Sequence, residues 1–166
     1  LNGLIHLWGN AGSGKTLLTV ALASDASKHC RVEWINTDGK RSFIKQLRDN
    51  INAYGGKTEN ITVTMTNGKS ELLTLIDSLP MNLQDAQLII IDPITRVLDM
   101  ARDDPLMWGR EIIETVLPTL TGIVAKGNAD IIITSESRTM DDSQNKAVHH
   151  STITRWTDHD LHLLRD

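Results

Sequence analysis

A chain of 166 residues is too short for several domains and long enough to bury a core, so one globular domain over residues 1–166 is expected. With 40% apolar and 23% charged residues it is neither a disordered nor a fibrous chain, and no apolar run approaches the roughly 20 residues that span a bilayer. A formal charge of −4 excludes a protein that coats nucleic acid through an overall positive field, while leaving local contacts open, and a single cysteine, Cys30, excludes an internal disulfide.

The chain opens on Leu1 rather than Met, which suggests a processed or trimmed product; no signal-peptide pattern is seen, and a cytoplasmic location without membrane contact is expected. An apolar run, Leu4–Trp8, reads as a first strand. It is followed by Gly9-Asn10-Ala11-Gly12-Ser13-Gly14-Lys15-Thr16, which fits G-x-x-x-x-G-K-[ST], and then by helix formers over 14–29. Cys30, at the end of that helix, reads as a small buried hydrophobe. A second strand over 32–36 runs into Asn36-Thr37-Asp38-Gly39. In the helix predicted over 41–54, Phe43, Leu47 and Ile51 recur at i, i+4 and mark one face, and Gly55-Gly56 ends it. A strand over 61–65, a helix over 70–79 and the all-aliphatic strand 88–91 follow, the last closed by Asp92. Residues 101–105 are irregular, and a helix over 107–126 carries Pro118, where a kink or break is expected. The run Ile131-Ile132-Ile133 marks a strand over 130–134; residues 135–151 show no clear period and read as a functional or mobile loop, and a last strand covers 160–164. Trp8, Trp34 and Trp156 fall in or beside strands and read as core, leaving Trp108 as the tryptophan to consider for base stacking. Strands alternating with helical segments predict an α/β fold: a three-layer α/β/α P-loop NTPase with a mostly parallel central sheet.

The loop over 9–16 predicts ATP binding. Its glycines let the backbone turn and approach phosphate oxygens, its N–H groups form a nest at a helix N-terminus, Lys15 reaches the terminal phosphates, and Thr16 ligates Mg²⁺. Asp92, after four aliphatics, is the acid expected at a neighbouring strand end to hold the metal. Hydrolysis also needs a group to orient or deprotonate water. Asp38 and Glu136 are the candidates, Asp92 being better placed for metal, and for Asp38 an Asx-type turn ahead of Gly39 is an equal reading. The paired His149 and His150, without a further ligand at metal spacing, read as surface polar residues rather than a metal site.

The order of strand, phosphate loop, Val32-Glu33-Trp34-Ile35-Asn36-Thr37-Asp38-Gly39, Leu88-Ile89-Ile90-Ile91-Asp92-Pro93-Ile94-Thr95 and Ile131-Ile132-Ile133-Thr134-Ser135-Glu136 resembles the ATPase core of the RecA superfamily, with RadA- and RadB-type recombinases the nearest in look. The tail over 149–156 also resembles the end of that family's second DNA-facing loop. The resemblance implies phosphate and Mg²⁺ binding by Lys15 and Thr16, and a metal held through water by Asp92. It sets Asp38 where the family carries a water-activating glutamate, and Glu136 where it carries a glutamine that senses the terminal phosphate. It implies single-stranded DNA contacts near Arg102 and over 137–151, a recombinase partner or homo-oligomer, and a role in recombination or repair. It does not extend to the family's helical N-terminal DNA-binding domain or polymerisation segment. Asp in place of Glu shortens the arm, and Glu in place of Gln puts an acceptor-only anion near phosphate unless a metal or arginine offsets it, so slow hydrolysis is expected. Between 135 and 159, Arg138, Lys146 and Arg155 face Glu136, Asp141, Asp142 and Asp158, which is no electrostatic funnel. Two other readings stay open: a nucleotide-gated regulatory module with little turnover, and a RecA-fold helicase or regulator ATPase. No Arg-rich lid points to a nucleotide kinase.

Overall fold

The computed structural model describes residues 2–82, 86–98, 100, 106–108, 110–127, 129–139, 145–147 and 149–165. Six strands form a parallel sheet: β1 (Leu4–Gly9), β2 (Arg31–Asn36), β3 (Ile61–Met65), β4 (Ala86–Asp92), β7 (Asp130–Thr139) and β9 (His159–Leu163), in the spatial order β3-β2-β4-β7-β1-β9. The short strand β8 (Asn145–Ala147) adds an antiparallel partner to the end of β7, while β5 (Arg96–Leu98) and β6 (Leu106–Trp108) make a separate two-stranded ribbon. The helices are α1 (Lys15–Ala26), α2 (Ser42–Tyr54), α3 (Lys69–Asn82), α4 (Arg110–Ala125) and the single turn α5 (His150–Ile153).

The aliphatic strands divide their side chains between two cores because successive residues of a strand point to opposite faces. Ile89, Ile91, Ile131, Ile133 and Ile35 pack with Leu72 and Ile76 of α3 and with α4, whose Ile113, Val116, Leu117, Leu120 and Ile123 keep helical spacing. Leu88, Ile90, Ile132, Val32 and Trp34 enter the opposite core with Val20 and Ala23 of α1 and Phe43 and Leu47 of α2. There Trp34 stacks on Phe43 with ring centroids 4.6 Å apart. Burial on both faces is what allows a strand such as 88–91 to carry no polar residue.

Five readings change. The helix expected over 107–126 starts at Arg110, residues 106–108 being strand, and it continues through Pro118, whose missing N–H falls on the exposed side of α4. Residues 135–139 are not loop but the continuation of β7, paired with β8 in the register Ser137 to Ala147. Trp156 is 38% exposed rather than core, whereas Trp8 and Trp34 are buried. Cys30 is only partly buried and donates its thiol to the Ala26 carbonyl. The first helix stops at Ala26, its chain turning through Ser27. Residues 101–105, with Arg102, and 140–144, with Asp141 and Asp142, lie outside the described residues, as do the side chains of Trp108, Arg138 and Lys146.

One position breaks the apolar pattern of β1. His6 alternates onto the face of Leu4 and is fully buried, and burial outweighs its Asp160 contact to lower its pKa to about 4, so the ring is neutral at pH 7.

Candidate nucleotide-binding site

Every parallel strand points its C-terminal end to one edge of the sheet, and the residues singled out from the sequence gather there. The phosphate-loop sequence leaves β1 at Gly9, turns through a Ser13 N–H to Asn10 carbonyl bond of 3.1 Å, and enters α1 at Lys15. A side chain at position 9 would put its Cβ 2.4 Å from the Leu163 carbonyl oxygen, so only glycine fits between β1 and β9. Gly12 and Gly14 have φ of 78° and 93°, left-handed values that other residues adopt at a cost. The Lys15 ammonium donates to the carbonyls of Gly9 at 2.6 Å and Asn10 at 2.8 Å, lying back over its own loop. Burial lowers its pKa, against the opposing pull of Glu136 and Asp92.

A cleft of about 160 Å³ brings Lys15, Thr16, Asp38, Asp92, Arg96 and Glu136 together. Ala11 and Gly12 also line it; Gly9, Asn10, Ser13 and Gly14 form the loop beside it. Asp92, at the end of β4, accepts a hydrogen bond from Thr134 Oγ1 at 2.6 Å. Its pKa is raised, first by burial and further by the charge of Asp38, against the Thr134 bond and Lys15. A carboxyl whose pKa is higher folded than unfolded takes up protons on folding, so it weakens the native state as pH rises from the unfolded value to the folded one. Replacing Asp92 with Asn, which keeps an acceptor for Thr134, is therefore expected to raise the melting temperature of the nucleotide-free protein at pH 7. Thermal scans of both proteins decide it: a lower midpoint for Asp92→Asn refutes this account of the carboxylate.

Asp38 and Glu136 are the two residues whose surroundings the sequence did not disclose. Arg96 Nη2 lies 2.7 Å from Asp38 Oδ2 and 2.8 Å from Glu136 Oε1, and Arg96 Nη1 donates to Glu136 Oε2 at 3.2 Å. One guanidinium thus clamps both candidate hydrolytic acids, with side chains of Arg96 and Asp38 only 11% and 5% exposed. Asp38 serves its turn as well, Oδ1 accepting the Lys40 N–H at 3.1 Å, so the Asx-type reading and a cleft position hold together. Arg96 is set in place by Thr37, whose hydroxyl donates to the Arg96 carbonyl at 2.9 Å and also contacts the Pro93 carbonyl. Lys40 adds a second cation 3.8 Å from both acids. The sequence signal for Arg96 was available in its closeness to Asp92.

Two features fit a polyphosphate. Ser13 Oγ is buried with no hydrogen-bond partner among the described residues, and Gly14 leaves open space, no atom lying within 4 Å of a Cβ built there. Thr16 and Asp92 share the cleft as an oxygen-donor pair, the ligand type that Mg²⁺ takes.

No family model matches this sequence, and no curated protein does. Among solved structures, the chain is similar to one described as the crystal structure of the RadB recombinase, with 19% identity, a TM-score of 0.74, and coverage of 96% of this chain and 73% of that one. With that likeness and the parallel sheet order, the chain has a RecA-like α/β/α fold.

Proposed function

We propose that this protein is a RecA-like ATPase core, residues 1–166, that binds Mg²⁺ and ATP in the cleft, hydrolyses ATP slowly, and acts in DNA recombination or repair. The observation that carries the proposal is the convergence of Lys15, Thr16 and Asp92 on one cleft beside a loop of left-handed glycines. In this reading the amides over 9–16 and the Lys15 ammonium hold the β- and γ-phosphates, Thr16 and Asp92 hold Mg²⁺, the latter through water, and the ion neutralises charge on the phosphates. Lys15 must leave the Gly9 and Asn10 carbonyls to do so. Asp38 orients or deprotonates water and Glu136 reports on the terminal phosphate, both under the hold of Arg96.

A base tied to a guanidinium must be released from it before it meets water. The clamp therefore supports slow turnover. It equally supports a second reading, a nucleotide-gated module that binds ATP, turns little of it over, and regulates a recombinase partner. Single-stranded DNA is assigned to the region of Arg102 and to 137–151, which includes the β7–β8 hairpin, and self-association or a recombinase partner belongs to the same proposal.

Calorimetry with ATP and Mg²⁺ should give saturable binding, and turnover should rise severalfold with single-stranded DNA in a salt-dependent way. Binding with a flat response to DNA selects the gated module; no heat with any triphosphate from folded protein refutes both. Size exclusion with and without ATP tests assembly.

A further inference from the structure

His6, Asp160 and His150 stand apart from the cleft chemistry, on the face of the sheet that packs against α4 and α5. His6 Nδ1 lies 2.6 Å from Asp160 Oδ1, and His150 Nε2 lies 2.7 Å from Asp160 Oδ2. The three donor atoms all fall within 4.8 Å of one another. We propose that these side chains form a binding site for a divalent transition-metal ion of the Zn²⁺ class, which fastens β1, β9 and α5 to one another.

Several observations beyond the cluster support a metal rather than a plain hydrogen-bonded trio. Metal-bound histidines and carboxylates are held by outer partners, and both inner ligands have one: Ser135 Oγ is 2.5 Å from His6 Nε2, and Trp8 Nε1 donates to Asp160 Oδ2 at 3.2 Å. His6 Nδ1 meets Asp160 through a proton that bridges their 2.6 Å contact, and an ion bound between the three side chains takes the place of that proton. The aromatic wall is also present, Trp8 lying 5.0 Å from the His150 ring and stacked at 3.7 Å on His162, which screens the site on one side. His6 is fully buried while Asp160 and His150 are 30% and 28% exposed, so an ion enters from the α5 side and keeps a fourth position for water. Two imidazoles and one carboxylate suit Zn²⁺ or Co²⁺ and are poor ligands for Mg²⁺ or Ca²⁺. Opening the trio from hydrogen-bond contact to the spacing of ligands around one ion asks for shifts of less than about 1 Å, from Zn–N and Zn–O lengths near 2 Å.

The reach of the site explains why it matters to this fold. Ser135 precedes Glu136, and His150 follows the β7–β8 hairpin, so a bound ion fixes the segment after the hairpin against the strand that feeds the phosphate loop. Metal occupancy is thereby linked to the position of α5 against β1.

The test is titration of the nucleotide-free 166-residue chain with Co²⁺, followed by its visible d–d absorption. One Co²⁺ per chain is expected, displaced by Zn²⁺ and indifferent to excess Mg²⁺. His150→Gln and Asp160→Asn, both at partly exposed positions and checked by circular dichroism, should lose the bands. Trp8→Phe, which removes the N–H on Asp160 together with part of the ring that stacks on His162, should weaken binding at least about tenfold, and Asp92→Asn should keep it. As a measurement that needs no variant, Zn²⁺ should protect His150 of the unaltered protein from diethylpyrocarbonate. Absence of the bands at stoichiometric Co²⁺, their survival in folded His150→Gln and Asp160→Asn, or modification of His150 that ignores Zn²⁺, each overturns the proposal.

Discussion

Replacing Arg96 with Leu is expected to destabilise the protein by about 3 kcal/mol, the lower end of what is lost when one partner of a buried ion pair is removed. Leu keeps the bulk and deletes the charge, so Asp38 and Glu136 remain facing each other without their shared cation. Asp38 is 5% exposed at its side chain and cannot hydrate freely; Glu136, at 27%, recovers some water, and Lys40 at 3.8 Å recovers some charge. These two reliefs set the estimate at the lower end. Urea denaturation should show a lower midpoint with an unchanged slope, since the surface exposed on unfolding hardly changes. The triple substitution Arg96→Leu, Asp38→Asn, Glu136→Gln separates charge from packing: with no carboxylate left unpaired, most of the lost stability should return. A single variant within about 1 kcal/mol of the parent, the range of an exposed pair, shows that the clamp is not an interior ion pair, and a triple variant no better than the single one shows that packing was the cause.

That clamp also marks where reading the sequence stopped. The phosphate-loop residues, the aliphatic strand before Asp92 and the face made by Phe43 and Leu47 are local patterns, written in neighbouring residues, and the sheet edge collects them as the parallel topology requires. Arg96 lies only a few residues beyond Asp92, yet its partners are 58 and 40 positions away along the chain, and only the register of β2, β4 and β7 brings them to it. The His6 trio is more distant still, with Asp160 154 positions from His6. A clue existed in Leu4-Ile5-His6-Leu7-Trp8, where strand alternation puts an imidazole among core positions, and a buried polar group requires a partner. The hairpin of β7 and β8 escaped for the opposite reason. Residues 135–139 are polar, so they lack the apolar alternation that reveals a strand, and backbone pairing alone defines them.

Lys15→Ala should weaken ATP binding by about a hundredfold, roughly 2.7 kcal/mol. Charge-assisted hydrogen bonds contribute about 1.5–3 kcal/mol each, and the ammonium is assigned to two phosphates, but it first gives up its bonds to the Gly9 and Asn10 carbonyls. The net is thus nearer one such bond than two. Stability should move the other way or not at all. A lysine whose pKa is lower folded than unfolded releases protons on folding, so in its protonated form it weakens the native state, an effect that fades only as pH rises through the folded value. Removing it costs nothing on that account, and the variant should melt no lower than the parent at pH 7. The nucleotide series supplies an internal control. The loss should be largest for ATP, smaller for ADP and negligible for AMP, which has neither of the phosphates that Lys15 is assigned to. Calorimetry across the three nucleotides measures it directly. Equal ATP affinity in parent and variant would remove Lys15 from the site, and an equal loss for AMP would mean that the substitution had disturbed the loop over 9–16 rather than deleted one charge.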